Sequence, residues 1–92
     1  MQKKEISQQD SDLLEATQAN FNNFINLFDL LTTNENLTVD LYNQLKEDYL
    51  KYAYEFEITK TALIKKYYNN YQQNPDVSFK VNYHTLEIIF YD

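Results

Sequence analysis

One stretch of thirty-six residues, from Thr38 to Gln73, contains neither glycine nor proline and constrains the fold of this 92-residue chain most strongly. Its apolar residues recur at three-, four- and once seven-residue steps, the spacing of one side of an α-helix. The sequence therefore predicts a long helix over 38–73, with an apolar stripe wider than one neighbouring helix can cover. The first line of the stripe is Leu41, Leu45, Tyr49, Tyr52, Phe56, Leu63 and Tyr67, and the second is Leu50, Tyr54, Ile58, Ile64 and Tyr68.

Both ends of this helix carry local signals. Thr38 is a good N-cap, and Asp40 lies where the helix dipole favours an anion. The helix is expected to end before Asn74-Pro75, since a residue that precedes proline is pushed out of the α region. An alternative is a strand over 54–60, where apolar and polar residues alternate. We favour the helix, because no turn residue separates this run from the helical pattern on either side.

A shorter helix is predicted over 10–32, where Leu14, Phe21, Phe24, Phe28 and Leu31 keep a helical period. Asp12 and Glu15 are spaced as a capping box, although Ser7 with Asp10 would start the helix one turn earlier. The polar loop 32–36 is short enough to join antiparallel helices. Residues 1–9 are polar and are expected to form a frayed tail.

The C-terminal region alternates apolar and polar residues and predicts a β-hairpin over 77–91. The register expected places Val81 against Leu86, Phe79 against Ile88 and Val77 against Phe90, with Lys80 facing Glu87 on the other side. A four-residue turn, Asn82 to Thr85, is favoured over a two-residue turn at Tyr83-His84. The last strand would then be unpaired along its outer edge. The fold class expected is α+β and mostly α: a helical hairpin of one short and one long helix, then a C-terminal β-hairpin, in a single domain over 1–92.

The charge is unevenly distributed. The net charge is −6, of which residues 1–58 contribute −7 and residues 59–92 contribute +1. An acidic front half disfavours nucleic acid and favours basic protein partners. The chain has no cysteine, no glycine and no arginine, and it is rich in Lys, Asn, Tyr and Ile, as AT-rich genes encode. We expect a cytoplasmic protein of a low-GC bacterium, its phages or its plasmids.

No motif in the sequence indicates catalysis. His84 is the only histidine and falls in the predicted turn, so a metal role is not expected. Phosphate-binding loops need glycine, and no serine lies in a nucleophile motif. We therefore predict a non-enzymatic protein with no cofactor and no metal.

Six of the nine tyrosines fall between Tyr49 and Tyr71, more than one small core is expected to hide. Tyrosine is enriched at interface hot spots. The function predicted is a small acidic inhibitor or regulator that docks on a larger protein and competes with nucleic acid if that protein binds it. A homodimer is expected to cover the spare edge or stripe. The protein-binding residues predicted are Glu47, Asp48, Tyr54, Glu55, Glu57, Tyr68, Tyr71, Ile89 and Tyr91.

Two other functions are compatible with the sequence. A structural or secretion-accessory helical hairpin would have an obligate partner. A DNA-binding regulator would use the segment 60–71, where lysines and tyrosines interleave.

Overall fold

A computed structural model describes residues 1–33 and 37–92. It contains strand β1 (Gln2–Glu5), helix α1 (Gln8–Thr32), helix α2 (Val39–Tyr67), and strands β2 (Ser78–Asn82) and β3 (Glu87–Tyr91). The predicted α+β class, with a helical hairpin followed by a β-hairpin, is confirmed. Of the predicted loop 32–36, residues 34–36 lie outside the described residues.

Helix α1 starts earlier than the interval 10–32, because Ser7 is its N-cap. The Ser7 hydroxyl accepts a hydrogen bond from Asp10 N at 3.1 Å, so the alternative start was correct and the capping box at Asp12 was wrong. Thr38 caps α2 as predicted, with its hydroxyl accepting from Leu41 N at 3.1 Å. The Thr38 cap could be predicted because it depends on neighbouring residues, whereas two candidate caps competed at the start of α1.

The two helices are antiparallel and meet through aromatic rings. The ring centroids of Phe21 and Phe56 are 5.7 Å apart, and those of Phe24 and Tyr52 are 5.3 Å apart. Helix α2 runs unbroken through 54–60, so the strand alternative for these residues is excluded.

Helix α2 ends at Tyr67, six residues before the predicted end at Gln73. Tyr68 takes an extended conformation, with ψ 122°, and its ring packs on Phe90 at a centroid distance of 4.8 Å. The helix ends early because Tyr68 leaves the helical conformation and its ring packs in the core under the sheet.

The sheet has three antiparallel strands in the order β1-β3-β2. Residues 1–9 are not a frayed tail: Gln2–Glu5 pairs with β3 along the edge that was predicted to be open. Lys3 Nζ lies 2.8 Å from Glu87 Oε2, and Ile6 N donates to Leu86 O at 2.9 Å. These contacts hold the N-terminal strand against the sheet.

The β2–β3 hairpin exists, but its register is shifted by two residues. Val81 lies opposite Ile88, Phe79 opposite Phe90, and Lys80 opposite Ile89. The loop is four residues long, as expected, but it comprises 83–86. Asn82 Oδ1 accepts from His84 N and Thr85 N, and Leu86 has a left-handed φ of 56°, which ends the ladder between β2 and β3 before it.

The core lies between the sheet and the adjoining ends of both helices. Because a shift of two residues preserves the face of every side chain, the predicted inner residues of the hairpin still point inward. The core residues are Ile6, Leu14, Leu63, Ile64, Tyr68, Val77, Val81, Ile88 and Phe90.

Candidate protein-binding surface

Three apolar side chains on α2 lie in a row and are exposed. Leu50, Tyr54 and Ile58 follow each other at four-residue spacing and have exposed fractions of 58%, 67% and 50%. This row, here called the α2 strip, extends for about 12 Å at the rise of an α-helix. An exposed row of large apolar residues is a feature of interaction sites.

The α2 strip lies on the side of the helix opposite its buried residues. Leu45 and Leu63 are buried, and each is nine residues from Tyr54. Nine residues rotate a helix by about 180° beyond whole turns. The strip is thus opposite the buried side of α2, and a two-helix hairpin offers no element to cover it.

The same geometry explains the alternation that resembled a strand. Residues two apart on a helix point about 200° apart. Phe56 therefore packs inward on Phe21, whereas Tyr54 and Ile58 point outward. A helix with two apolar sides gives a local period of two, and a strand is not needed to explain it.

Helix α1 extends this surface on one flank. Leu13, 51% exposed, and Thr17 line a shallow hollow of about 500 Å³ together with Tyr54 and Ile58. On the other flank Thr61, Ala62 and Lys65 border the same two strip residues. The apolar surface therefore reaches beyond a single row of side chains.

Charged side chains surround the α2 strip. Glu47, Glu55 and Glu57 are exposed beside it, with Lys51 and Lys65 among them. Glu57 Oε1 lies 2.7 Å from Lys60 Nζ. The other predicted acid, Asp48, is half-buried and accepts from Gln44 Nε2 at 3.3 Å.

The other predicted binding residues lie away from the strip. Tyr68 is buried against Phe90, so its expected place on an exposed surface is wrong. Tyr71 is half-buried and packs against the core. Ile89 and Tyr91 lie on the outer face of the sheet, half-buried and exposed respectively. The nine predicted residues do not form one site.

Three apolar members of the surface were absent from the predicted binding residues: Leu13, Leu50 and Ile58. The sequence did mark Leu50 and Ile58 as apolar positions of the helix, because both belong to the second line of the stripe. What the pattern could not reveal was which of the two lines α1 covers. That choice depends on tertiary packing.

One polar network joins the two helices at the sheet end. Lys66 Nζ and Tyr67 OH both donate to Asp10 Oδ2 at 2.6 Å, and Ser7 N donates to Tyr67 OH at 3.2 Å. The hydrogen bonds from Lys66 and Tyr67 lower the pKa of Asp10 below its ordinary value of 3.8. This network fixes the start of α1 against the end of α2, and it lies outside the α2 strip.

The described residues show no metal-binding constellation. Within 1–33 and 37–92 no three side chains of His, Asp or Glu are grouped to hold a metal ion. His84 is an exposed residue of the β2–β3 loop. Neither helix has, over its described length, an apolar stretch long enough to cross a membrane.

The chain matches no protein-family model, no curated protein and no solved structure.

Proposed function

We propose that this chain is a non-enzymatic protein-binding module, a small acidic inhibitor or regulator that docks on a larger protein through the α2 strip. The observation that carries the proposal is the exposure of Leu50, Tyr54 and Ile58 on the side of α2 opposite its packed face. Solvating three large apolar side chains in a row is unfavourable, and docking removes that surface from water.

The partner expected has an apolar patch with a basic rim. The chain carries a net charge of −6, and Glu47, Glu55 and Glu57 lie beside the strip. Opposite charges around an apolar centre raise association rates and exclude wrong partners. If the partner binds nucleic acid, these carboxylates would occupy the place of phosphates on its basic surface.

The strip is the centre of the interface and not its whole extent. A stable protein complex buries about 800 Å² on each partner. Three side chains supply only part of that area, so the contact must extend over Leu13 and the charged rim. Tyr54 is the expected hot spot, because it is central in the strip and tyrosine contributes strongly at interfaces.

A second copy of the chain is the alternative partner for the α2 strip, which would make the protein a homodimer. It would bring together two chains that each carry −6, and the acids beside each strip would approach one another. One reason to expect a dimer, the open edge of β3, is removed because β1 pairs there. A solution mass near 11.1 kDa supports a separate partner. A mass of twice that value, lowered by strip substitutions, would assign the strip to a second copy.

Direct nucleic-acid binding has less support. Of the three lysines in segment 60–71, Lys60 lies 2.7 Å from Glu57 and Lys66 lies 2.6 Å from Asp10. Two of the three cations are therefore already paired. A mobility-shift assay at low salt is expected to show no retardation.

Site-specific crosslinking tests the docking proposal. A photo-crosslinking amino acid at position 54 is expected to trap one protein from a low-GC bacterial lysate, with a yield that falls as salt rises. The substitutions Leu50→Gln and Ile58→Gln together should abolish the adduct. The matched control is Leu30→Gln, which changes an exposed leucine near the far end of α1 and should leave the adduct intact. An adduct that survives both strip substitutions would contradict the proposal.

A further inference from the structure

The outer edge of β2 borders a groove that the helices leave open. The groove has a volume of about 470 Å³ and runs past six consecutive residues, 76–81, of which 78–81 belong to β2. Side chains of consecutive strand residues point to opposite faces, so a groove that touches all four of these strand residues runs along the edge of the strand. Leu14, Gln18, Phe56 and Lys60 form the opposite wall, and they come from both helices.

The sheet register identifies the backbone groups that point into this groove. Ile6 N donates to Leu86 O, so the backbone of Ile6 faces β3. Since backbone direction alternates along a strand, Lys4 and Gln2 also face β3, and their partners Ile88 and Phe90 face β1. Glu87, Ile89 and Tyr91 therefore face β2. Their partners on β2 are Asn82, Lys80 and Ser78.

The two residues between those partners, Phe79 and Val81, must therefore direct their N–H and C=O groups away from β3. Outside the ladder, no backbone group in residues 1–33 and 37–92 hydrogen-bonds to either of them. Two donors and two acceptors thus line the edge at the spacing of a β-strand. Such an edge is a template for an added strand.

The side chains along this edge determine which peptide sequence it favours, in addition to the backbone hydrogen bonds. Phe79 and Val81 point to the inner face, toward the wall that contains Leu14 and Phe56. Lys80 is exposed on the outer face, and within the described residues no carboxylate pairs with it. A residue directly opposite a lysine on a neighbouring antiparallel strand is favoured when it is acidic.

We propose that the β2 edge binds an extended peptide segment of a partner protein as a fourth, antiparallel strand. The segment carries apolar side chains opposite Phe79 and Val81 and a carboxylate opposite Lys80. Main-chain hydrogen bonds to Phe79 and Val81 hold it, and Leu14 and Phe56 in the opposite wall favour apolar inward side chains, as in other cases of strand addition. This site is separate from the α2 strip and does not depend on the function proposed above.

A second copy of the chain fits this edge less well. Two copies could pair symmetrically through their β2 edges. The outward N–H and C=O groups of Phe79 in one copy would then bond to those of Val81 in the other, and Lys80 would lie at the centre of the pairing. It places two lysines directly opposite each other, which is destabilising. A lysine in the middle of an edge strand is a common means of preventing such self-pairing.

The test uses the full chain and a synthetic blocked pentapeptide, threonine-isoleucine-glutamate-isoleucine-threonine. Its glutamate faces Lys80 in the antiparallel register, and its isoleucines face Phe79 and Val81. At a peptide concentration nine times the Kd, hydrogen exchange of the Phe79 and Val81 amides should slow about tenfold, since exchange requires the free edge. The same peptide with both isoleucine amides methylated lacks the required donors and should leave exchange unchanged.

Charge exchange supplies a second measurement that does not disturb the core. Lys80→Glu should weaken the glutamate peptide about fivefold, and a lysine version of the peptide should restore the affinity. Lys65→Glu, the same change on α2 away from the groove, should have no effect. Unchanged exchange at Phe79 and Val81 with millimolar peptide would overturn the proposal. Protection of both amides without peptide, together with a dimeric mass, would also overturn it by assigning the edge to a second copy.

Discussion

The sheet end of the molecule and the far end of the helical hairpin differ in how their apolar side chains are covered. Ile88 and Phe90 belong to a core of strands and both helices, and neither has exposed surface. At the far end the described residues of the two helices cover only each other, and Leu30 and Val39 are 71% and 76% exposed. Hydrophobic stabilisation follows the apolar area removed from water. Folding free energy is therefore concentrated at the sheet end, and apolar surface is left over along the helices.

The largest effect expected from this comparison is at Phe90. Phe90→Ala removes a fully buried ring that contacts Tyr68 and Phe79, and it should lower the free energy of unfolding by about 3–5 kcal/mol. Phe28→Ala, which removes a half-buried ring between the helices, should cost about 1–2 kcal/mol. Urea denaturation followed by circular dichroism measures both. Equal losses would remove the proposed difference between the two ends.

The next effect concerns the N-terminal strand. Ile6 is buried in the core directly after β1, so Ile6→Ala should cost about 2–5 kcal/mol. The exposed control Leu30→Ala should change stability by no more than about 0.5 kcal/mol. Denaturation in urea would show the contrast. If Ile6→Ala were as silent as the control, residues 1–6 would be a tail in solution and β3 would regain an open edge.

Features that depend on neighbouring residues could be predicted from the sequence. The Thr38 cap, the helical period of both helices and the alternation in β2 are each encoded within a few positions. The inner face of the hairpin was also predictable, because a two-residue register error does not exchange faces. These features were sufficient to establish the fold class.

Features that depend on distant residues could not be predicted. Gln2–Glu5 has no apolar side chain, so nothing in its pattern indicates a strand; backbone pairing with β3 creates it. The early end of α2 requires knowing that Tyr68 packs under Phe90. For the binding surface, the second apolar line was visible, but its exposed and buried members could be separated only after the sheet was placed. Tyr54 and Ile58 stay exposed, whereas Ile64 and Tyr68 are covered.

The α2 strip should contribute little to folding. Ile58→Gln replaces an exposed apolar residue with a good helix former, so the free energy of unfolding should change by no more than about 0.5 kcal/mol. Leu45→Ala, on the buried side of the same helix, should cost about 2–5 kcal/mol. Urea titrations at two protein concentrations test this pair. A large loss at Ile58 that depends on concentration would show that a second copy covers the strip.

The smallest effect expected is electrostatic and lies in the Asp10 network at the sheet end. Hydrogen bonds from Lys66 and Tyr67 hold the pKa of Asp10 below its ordinary 3.8, so the folded state binds a proton less readily than the unfolded state. The stabilisation is therefore complete above the unfolded pKa and is lost as pH falls through the folded pKa. Asp10 in turn raises the pKa of Lys66, chiefly through their hydrogen bond, so the contribution of Lys66 is lost at the alkaline end, as pH rises through its folded pKa.

Stability measured from pH 7 down to pH 3 should thus fall less steeply for Asp10→Asn than for the unsubstituted chain. The asparagine variant should already be less stable at pH 7, because it lacks the charge that pairs with Lys66. Asp12→Asn is the matched control: Asp12 is exposed one turn into the same helix and, among the residues that the structure describes, accepts a hydrogen bond only from Gln8 Nε2, at 2.7 Å. Its stability profile should stay parallel to that of the unsubstituted chain. If stability fell equally less steeply with pH in both variants, the acid sensitivity would follow the overall charge of α1 and not the contact between the helix ends. The stability of the sheet end would then come from apolar packing alone.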